Sequence, residues 1–263
     1  MSSTPGERRA GRRPAAAAGS RLGGVVPSYR EYRPPPALEP VVACVWENEP
    51  AEDRAQRIVP DGCVDLIWEA GRELVIAGAD TRPRTVALPA GALSSGVRLR
   101  PGAAGAFLGL PASDLRDRQV AAELVWGEQA ARLEEAVAEA DPRRRLELLV
   151  DAVAQRRAAP DALVTAAAQR LAGHTARVSG VAAELGVSER HLHRRTVAAV
   201  GYGPKLLARV ARLRRLVAAA DESLALRALE AGYASQAHMS DEVRRLTGLT
   251  PVRFLEDAEL TAA

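Results

Sequence analysis

Two short segments in the last third of the chain carry side chains suited to holding a polyanion. Residues 189–199 bring together Arg190, His191, His193, Arg194 and Arg195. The second segment follows Ser235 with Gln236, His238 and Ser240, and adds Arg244 and Arg245 one turn further on. Arginine pairs through two parallel hydrogen bonds with guanine, and both Arg and His can hold phosphate oxygens. His191 and His193 stand two positions apart, so a helix would point them to different faces and they would not easily chelate one ion. The chemistry these segments predict is contact with double-stranded DNA, and Ser188 joins the set as the residue that opens the first of them.

Other candidates are weaker. All four histidines, at 174, 191, 193 and 238, lie beyond residue 173. An imidazole-based metal centre in the first two thirds therefore lacks its ligands, and no metal or cofactor is expected. Pro60-Asp61-Gly62 reads as a turn between strands, with Asp61 and Asp65 as a remote alternative carboxylate pair. Cys63 has no nearby His in its own region to activate it as a nucleophile. Cys44 and Cys63 read as two buried apolar side chains rather than a redox pair. Trp46 and Trp68 each close a strand-like run. They read first as core, and as the candidate ligand-binding residues if the region encloses a cavity. No catalytic constellation emerges, so an enzyme in the first half is the remote alternative.

The elements that must position these residues fall into two kinds. Residues 29–112 read as β-rich, with strand-like runs at 41–46, 64–68, 74–77, 85–88 and 97–100, punctuated by Pro and Gly. Short strands at close spacing suggest a small barrel or sandwich. Residues 113–172 switch to helical periodicity through Leu133, Val137, Leu146, Leu149, Val150 and Val153. Asp141-Pro142 reads as a helix N-cap followed by Pro at the first helical position, and Asp161 as another cap. Residues 174–254 are helical and contain an internal echo. Val178 to Leu192 and Leu224 to Met239 each read as an apolar helix, a Gly, a Ser and a second helix. Gly suits the left-handed position after a helix and Ser the N-cap of the next. That is the helix-turn-helix unit, twice. A single helix starting at Pro204 links the two, so the second helix of each unit could enter successive major grooves about 34 Å apart.

These residues resemble the DNA-binding domain of the AraC family of bacterial transcription regulators. The likeness runs through Val181-Ala182-Ala183-Glu184-Leu185-Gly186-Val187-Ser188-Glu189-Arg190-His191-Leu192 and Gly201-Tyr202-Gly203-Pro204. It continues in Arg212-Leu213, Ala231-Gly232-Tyr233, Ser235-Gln236 and Leu246-Thr247-Gly248-Leu249-Thr250-Pro251. The resemblance implies a seven-helix bundle. It places Arg190, His193 and Arg194 at base- or phosphate-contacting positions, and Gln236, Ala237, Ser240 and Asp241 at the matching positions of the second unit. Thr196 and Val243 stand where the family usually has Phe, and Asp241-Glu242 replaces a site that is often Arg. Two acids near phosphates are unfavourable, so the first unit is expected to dominate specificity. The stretches 57–68, 96–103 and 110–115 resemble a β-rich domain of unassigned function found ahead of such regulators. In the family such a domain is usually cupin-like and senses a ligand or dimerises.

Composition sets the outer bounds. The chain has 263 residues, 47% of them apolar, enough for a real core. Two cysteines argue against a disulfide-stapled secreted domain. Residues 174–254 hold 13 basic and seven acidic side chains, net +6, and residues 1–30 are net +5. The rest is net −8, an asymmetry that points to a polyanion partner. The expected organisation is an α+β, two-domain chain. A disordered basic tail (1–28) precedes a β-rich barrel or cupin-like domain (29–127). A helical linker (128–173) then leads to the tandem helix-turn-helix domain (174–257). The expected function is a cytoplasmic, sequence-specific transcription regulator, with a non-specific DNA binder as the alternative. Its expected partners are double-stranded DNA, RNA polymerase, a small-molecule ligand and a second copy of the chain, with no membrane.

Overall fold

The computed structural model describes residues 29–156, 159–174, 176–219 and 223–256; the basic tail at 1–28 lies outside them. Seven strands come first: β1 (Tyr29–Tyr32), β2 (Val42–Asn48), β3 (Arg54–Ile58), β4 (Val64–Glu69), β5 (Leu74–Ala77), β6 (Arg84–Leu88) and β7 (Ser94–Leu99). A short helix, α1 (Ala104–Leu108), and a 3₁₀ turn at Ala112–Leu115 lead to β8 (Gln119–Ala121). Six strands form one antiparallel sheet in the order β1-β2-β7-β4-β5-β8, while β3 and β6 pair as a separate ribbon.

Alternation at period two decides which side chains meet. In β4, Val64, Leu66 and Trp68 are buried on one face, while Asp65, Ile67 and Glu69 point the other way. Leu66 lies opposite Ile76 on β5 and Val97 on β7, so the apolar face is continuous across three strands. The expected strands correspond to β2, β4, β5, β6 and β7. Three others carry no apolar run to announce them. β1 reads Tyr-Arg-Glu-Tyr and is held at the sheet edge by Arg30 on Glu47 at 3.2 Å. β3 reads Arg-Ala-Gln-Arg-Ile, and β8 is three residues long. β8 falls inside the stretch expected to be helical because its hydrogen bonds to β5, not its composition, make it a strand.

The helices α2 (Glu123–Trp126), α3 (Glu128–Glu139) and α4 (Pro142–Gln155) follow. α3 packs on β5, and α4 on β2 and β7. Asp141 caps α4 by accepting from the Arg144 amide at 3.0 Å, with Pro142 at the first position. Seven helices complete the described chain: α5 (Ala162–Leu171), α6 (Val178–Glu184), α7 (Glu189–Val200), α8 (Pro204–Ala218), α9 (Leu224–Glu230), α10 (Gln236–Thr247) and α11 (Pro251–Glu256). Asp161 caps α5 through the Leu163 and Val164 amides. α5 packs against α6, α7 and α8, so it is part of the helical bundle. Among the described residues no helix is long and apolar enough to cross a membrane.

The β-rich and helical parts share their cores. One core runs from Leu66 and Leu99 in the sheet, through Phe107 of α1, to Leu192 of α7 and Val210 of α8. The other joins Leu213, Met239, Val243 and Phe254 of the helices to Val59, which follows β3. Leu192 is fully buried, and burial on that scale stabilises by roughly 2–3 kcal/mol.

Candidate nucleic-acid interface

Each helix-turn-helix unit is set by its own turn. Gly186 lies between α6 and α7 with φ of 67°, and Gly232 between α9 and α10 with φ of 85°. Left-handed backbone of this kind strains any residue with a Cβ. Ser188 then accepts from the His191 amide at 3.2 Å, and Ser235 from the His238 amide at 3.1 Å. Both serines spend their side-chain oxygen on capping, which fixes the start of each second helix.

The first unit aims α7 with four buried contacts. Leu192, Thr196, Ala199 and Val200 face inward. Thr196 stands where a larger aromatic was expected, and its hydroxyl donates to the Leu192 carbonyl at 2.8 Å, so the smaller side chain leaves no unpaired polar group. Arg190, His193 and Arg194 are exposed on the same helix. His191 is half-buried, with Nδ1 at 3.2 Å from Nη2 of Arg194, while the exposed His193 ring lies against Gly203. Arg195 is turned back: its guanidinium donates to Asp161 at 2.6 Å, tying α7 to the start of α5. Its assignment as a DNA contact therefore competes with a structural bond.

The second unit repeats the scheme with one difference. Met239, Glu242, Val243, Leu246 and Thr247 form the buried stripe of α10. Glu242 is buried and takes Arg209 at 2.9 Å and Arg212 at 3.6 Å, both from α8. The expected conflict of two acids with phosphate reduces to one, because only Asp241 is exposed. Gln236, Arg244 and Arg245 are exposed. His238 is exposed too, its ring edge-on to Tyr233 and accepting from the Ala234 amide at 3.3 Å. Ser240 donates to the carbonyl of Gln236 and faces its own helix.

α8 holds the units apart and in register. Its 15 residues span roughly 22 Å at 1.5 Å each. Arg215 donates to the carbonyls of Ala231 and Ala172, at the C-terminal ends of α9 and α5. A cation at two helix C-termini also meets their negative dipole ends.

The β domain holds a small cavity of about 100 Å³ between the sheet and the β3–β6 ribbon. Trp46 lines it, and Trp46 Nε1 donates to Asp65 at 2.9 Å. Trp68 does not. Alternation puts it on the opposite face of β4, where the Arg145 guanidinium stacks on its ring at 4.1 Å, away from this cavity. Arg98 reaches Asp65 at 3.2 Å, Glu31 at 3.7 Å and Asp61 at 4.0 Å. Burial raises the Asp65 carboxyl above its usual range, against the pull of Arg98. Burial likewise raises Asp80, which is paired with Arg84 at 3.0 Å. Sequence reasoning missed the Arg98 cluster. Its signal was the strict alternation of Val97-Arg98-Leu99, which places a cation on the face that Asp65 shares.

Asp61 accepts from the Cys63 amide at 2.8 Å, which makes Pro60-Asp61-Gly62 the expected turn. Both cysteines are free and buried. Burial pushes the Cys44 thiol up to about 12 and Cys63 well above its usual value. The reactive species is the thiolate. We therefore expect an aromatic disulfide reagent near pH 8 to titrate neither thiol in the folded chain and both in denaturant. Rapid labelling of one thiol in the native chain would overturn this. Among the described residues no three His, Cys, Asp or Glu side chains converge as a metal site.

Comparison with known families separates the two halves. Residues 30–121 match a family described as "Domain of unknown function (DUF6597)". Residues 181–257 match a helix-turn-helix domain family of the AraC type. The last third of the chain is a helix-turn-helix domain of the AraC type. The match spans all of α7, α8, α9 and α10 and begins within α6, so the second helix of each unit falls inside it. The comparison with curated proteins finds no match. Solved structures of ToxT from Vibrio cholerae resemble the chain over most of its length. The ToxT structure from strain O395 is 9% identical, with a TM-score of 0.43, covering 90% of this chain and 99% of that one. An apo lysine-to-alanine variant of ToxT from strain SCE256 is 11% identical, with a TM-score of 0.41, covering 87% and 97%. Wild-type ToxT from the same strain, bound to an unsaturated fatty acid, is 12% identical, with a TM-score of 0.40, covering 82% and 94%.

Proposed function

We propose that this regulator reads a specific DNA operator, chiefly through α7, with α10 as its second reading helix. The observation that carries the proposal is the division of α7. One stripe is locked into the core by Leu192 and Thr196, while Arg190, His193 and Arg194 are exposed on the other side. A rigid helix with a cationic outer face and a capped N-terminus fits the major groove. The Asp65–Arg98–Trp46 cavity supports a further role for the β domain, holding a small polar ligand. RNA polymerase and a second copy of the chain complete the proposed partners, and the cytoplasm is the proposed location.

The test is fluorescence anisotropy with DNA from around the protein's own gene, against a scrambled duplex. Wild type is expected to prefer the genuine sequence, and Arg194→Ala to lose about 10- to 100-fold on it. Because Arg194 is exposed, the melting temperature should not move. Equal affinity for both duplexes would sink the specific reading in favour of non-specific binding, which shows as a steep salt slope.

A further inference from the structure

The β domain is docked directly onto the DNA-reading unit, and the docking is tight at backbone level. A Cβ on Gly105 of α1 would lie 2.9 Å from the Ala198 carbonyl of α7. A Cβ on Gly201, which ends α7, would lie 3.3 Å from the Ala112 carbonyl. The 3₁₀ turn Ala112–Leu115 packs along α7. The residue that leaves this turn is Arg116, which is exposed. The next residue, Asp117, has φ of 57°. Its carboxylate takes the Thr81 amide at 2.6 Å and the Thr81 hydroxyl at 2.7 Å, pinning the two loops together. Thr81 and Arg116 help to line a groove of about 550 Å³. Arg190 and His193 of α7 and Lys205 of α8 line the same groove. Glu189 also lines the groove, so its described charged side chains are three cations against one acid.

We propose that Arg116, a residue of the β domain, is part of the DNA interface and binds the phosphate backbone beside the major groove that α7 enters. The proposal rests on the reading of α7 as the recognition helix. The major groove is about 12 Å wide, so a helix within it is flanked by phosphates on both sides. A guanidinium held on a rigid turn next to Arg190 meets that backbone rather than a base edge. Phosphate contacts position a protein on DNA and carry no sequence information directly. Arg116 should therefore add affinity without specificity, and place the β domain against the duplex.

The experiment is a salt titration of DNA binding by the full chain, on operator and scrambled duplexes. Four variants enter: Arg116→Ala, Arg116→Lys, Arg72→Ala and Arg194→Ala. Arg72 is exposed, paired to Glu69 and outside the groove, so its variant removes the same charge elsewhere. Arg116→Ala is expected to weaken both duplexes alike, by about tenfold at low salt, and to flatten the salt slope by about one phosphate contact. Arg116→Lys should retain most of the affinity, and Arg72→Ala all of it. If Arg194→Ala loses operator binding while Arg116→Ala matches wild type or Arg72→Ala, the proposal fails and the reading of α7 stands. If Arg116→Ala binds more tightly, or loses the operator alone, the phosphate role is overturned. If neither Arg194→Ala nor Arg116→Ala changes binding, the reading of α7 has failed and the proposal goes with it.

Discussion

Glu242→Ala is expected to lose about 3 kcal/mol or more of unfolding free energy, the cost of leaving one side of a buried ion pair alone. Glu242 is 6% exposed and holds Arg209 and Arg212 against α10. Removing it strands two guanidinium groups at the seam between α8 and α10. Glu242→Gln keeps the shape and one hydrogen bond, so it should lose less. Chemical denaturation with matched slopes checks both. The variant also separates two views of this acid. If Glu242 faced phosphate, its removal would tighten DNA binding; from its buried position, no tightening is expected below the melting range. A stable Glu242→Ala chain with stronger DNA binding would reverse the assignment.

Arg98→Ala should have a comparable effect with a signature in pH. Arg98 is the cation that faces Asp65 and Asp61 in the β-domain cavity. Breaking such a pair costs about 3 kcal/mol. In the wild type, burial already raises the Asp65 carboxyl and Arg98 opposes that rise. Without Arg98 the carboxyl rises further. A carboxyl raised in the folded state stabilises the fold fully below its unfolded value. That contribution fades as pH climbs through the raised value. The deficit of Arg98→Ala against wild type should therefore be smaller near about pH 5 than near about pH 8. A deficit independent of pH would show that Asp65 does not depend on Arg98. Arg98→Met, which fills the space without the charge, should show the same pH trend.

Legibility in the sequence followed the local physics. The helix-turn-helix units were readable because each is closed by short-range signals: Gly186 and Ser188 in one, Gly232 and Ser235 in the other. Each of those residues does in the fold what its type predicts. The caps at Asp141 and Asp161 were readable for the same reason. β1, β3 and β8 were not. Their strand character comes from partners far along the chain, and their sequences show no apolar alternation. The side of a strand on which Trp68 falls, and the inward turn of Glu242, depend on what covers each element. Nothing in residues 235–242 shows that α8 brings Arg209 and Arg212 to meet Glu242. The place of Arg116 beside α7 is likewise invisible, because a turn of the β domain and a helix some 75 positions later come together only in the fold.

The shared cores have a consequence for exchanging parts. Val59, from the strand half, sits among Leu213, Met239 and Phe254, and Arg57 donates to the Thr247 carbonyl at the end of α10. Arg214 on the linking helix reaches Cys63 at 3.8 Å. A chimaera that grafts a foreign sensor onto these helices would leave a hole where Val59 fits and an unanswered carbonyl at Thr247. Such a graft has to carry the turn and strand around residues 57–63 across the junction. Cut anywhere else, it divides a core that both halves build together.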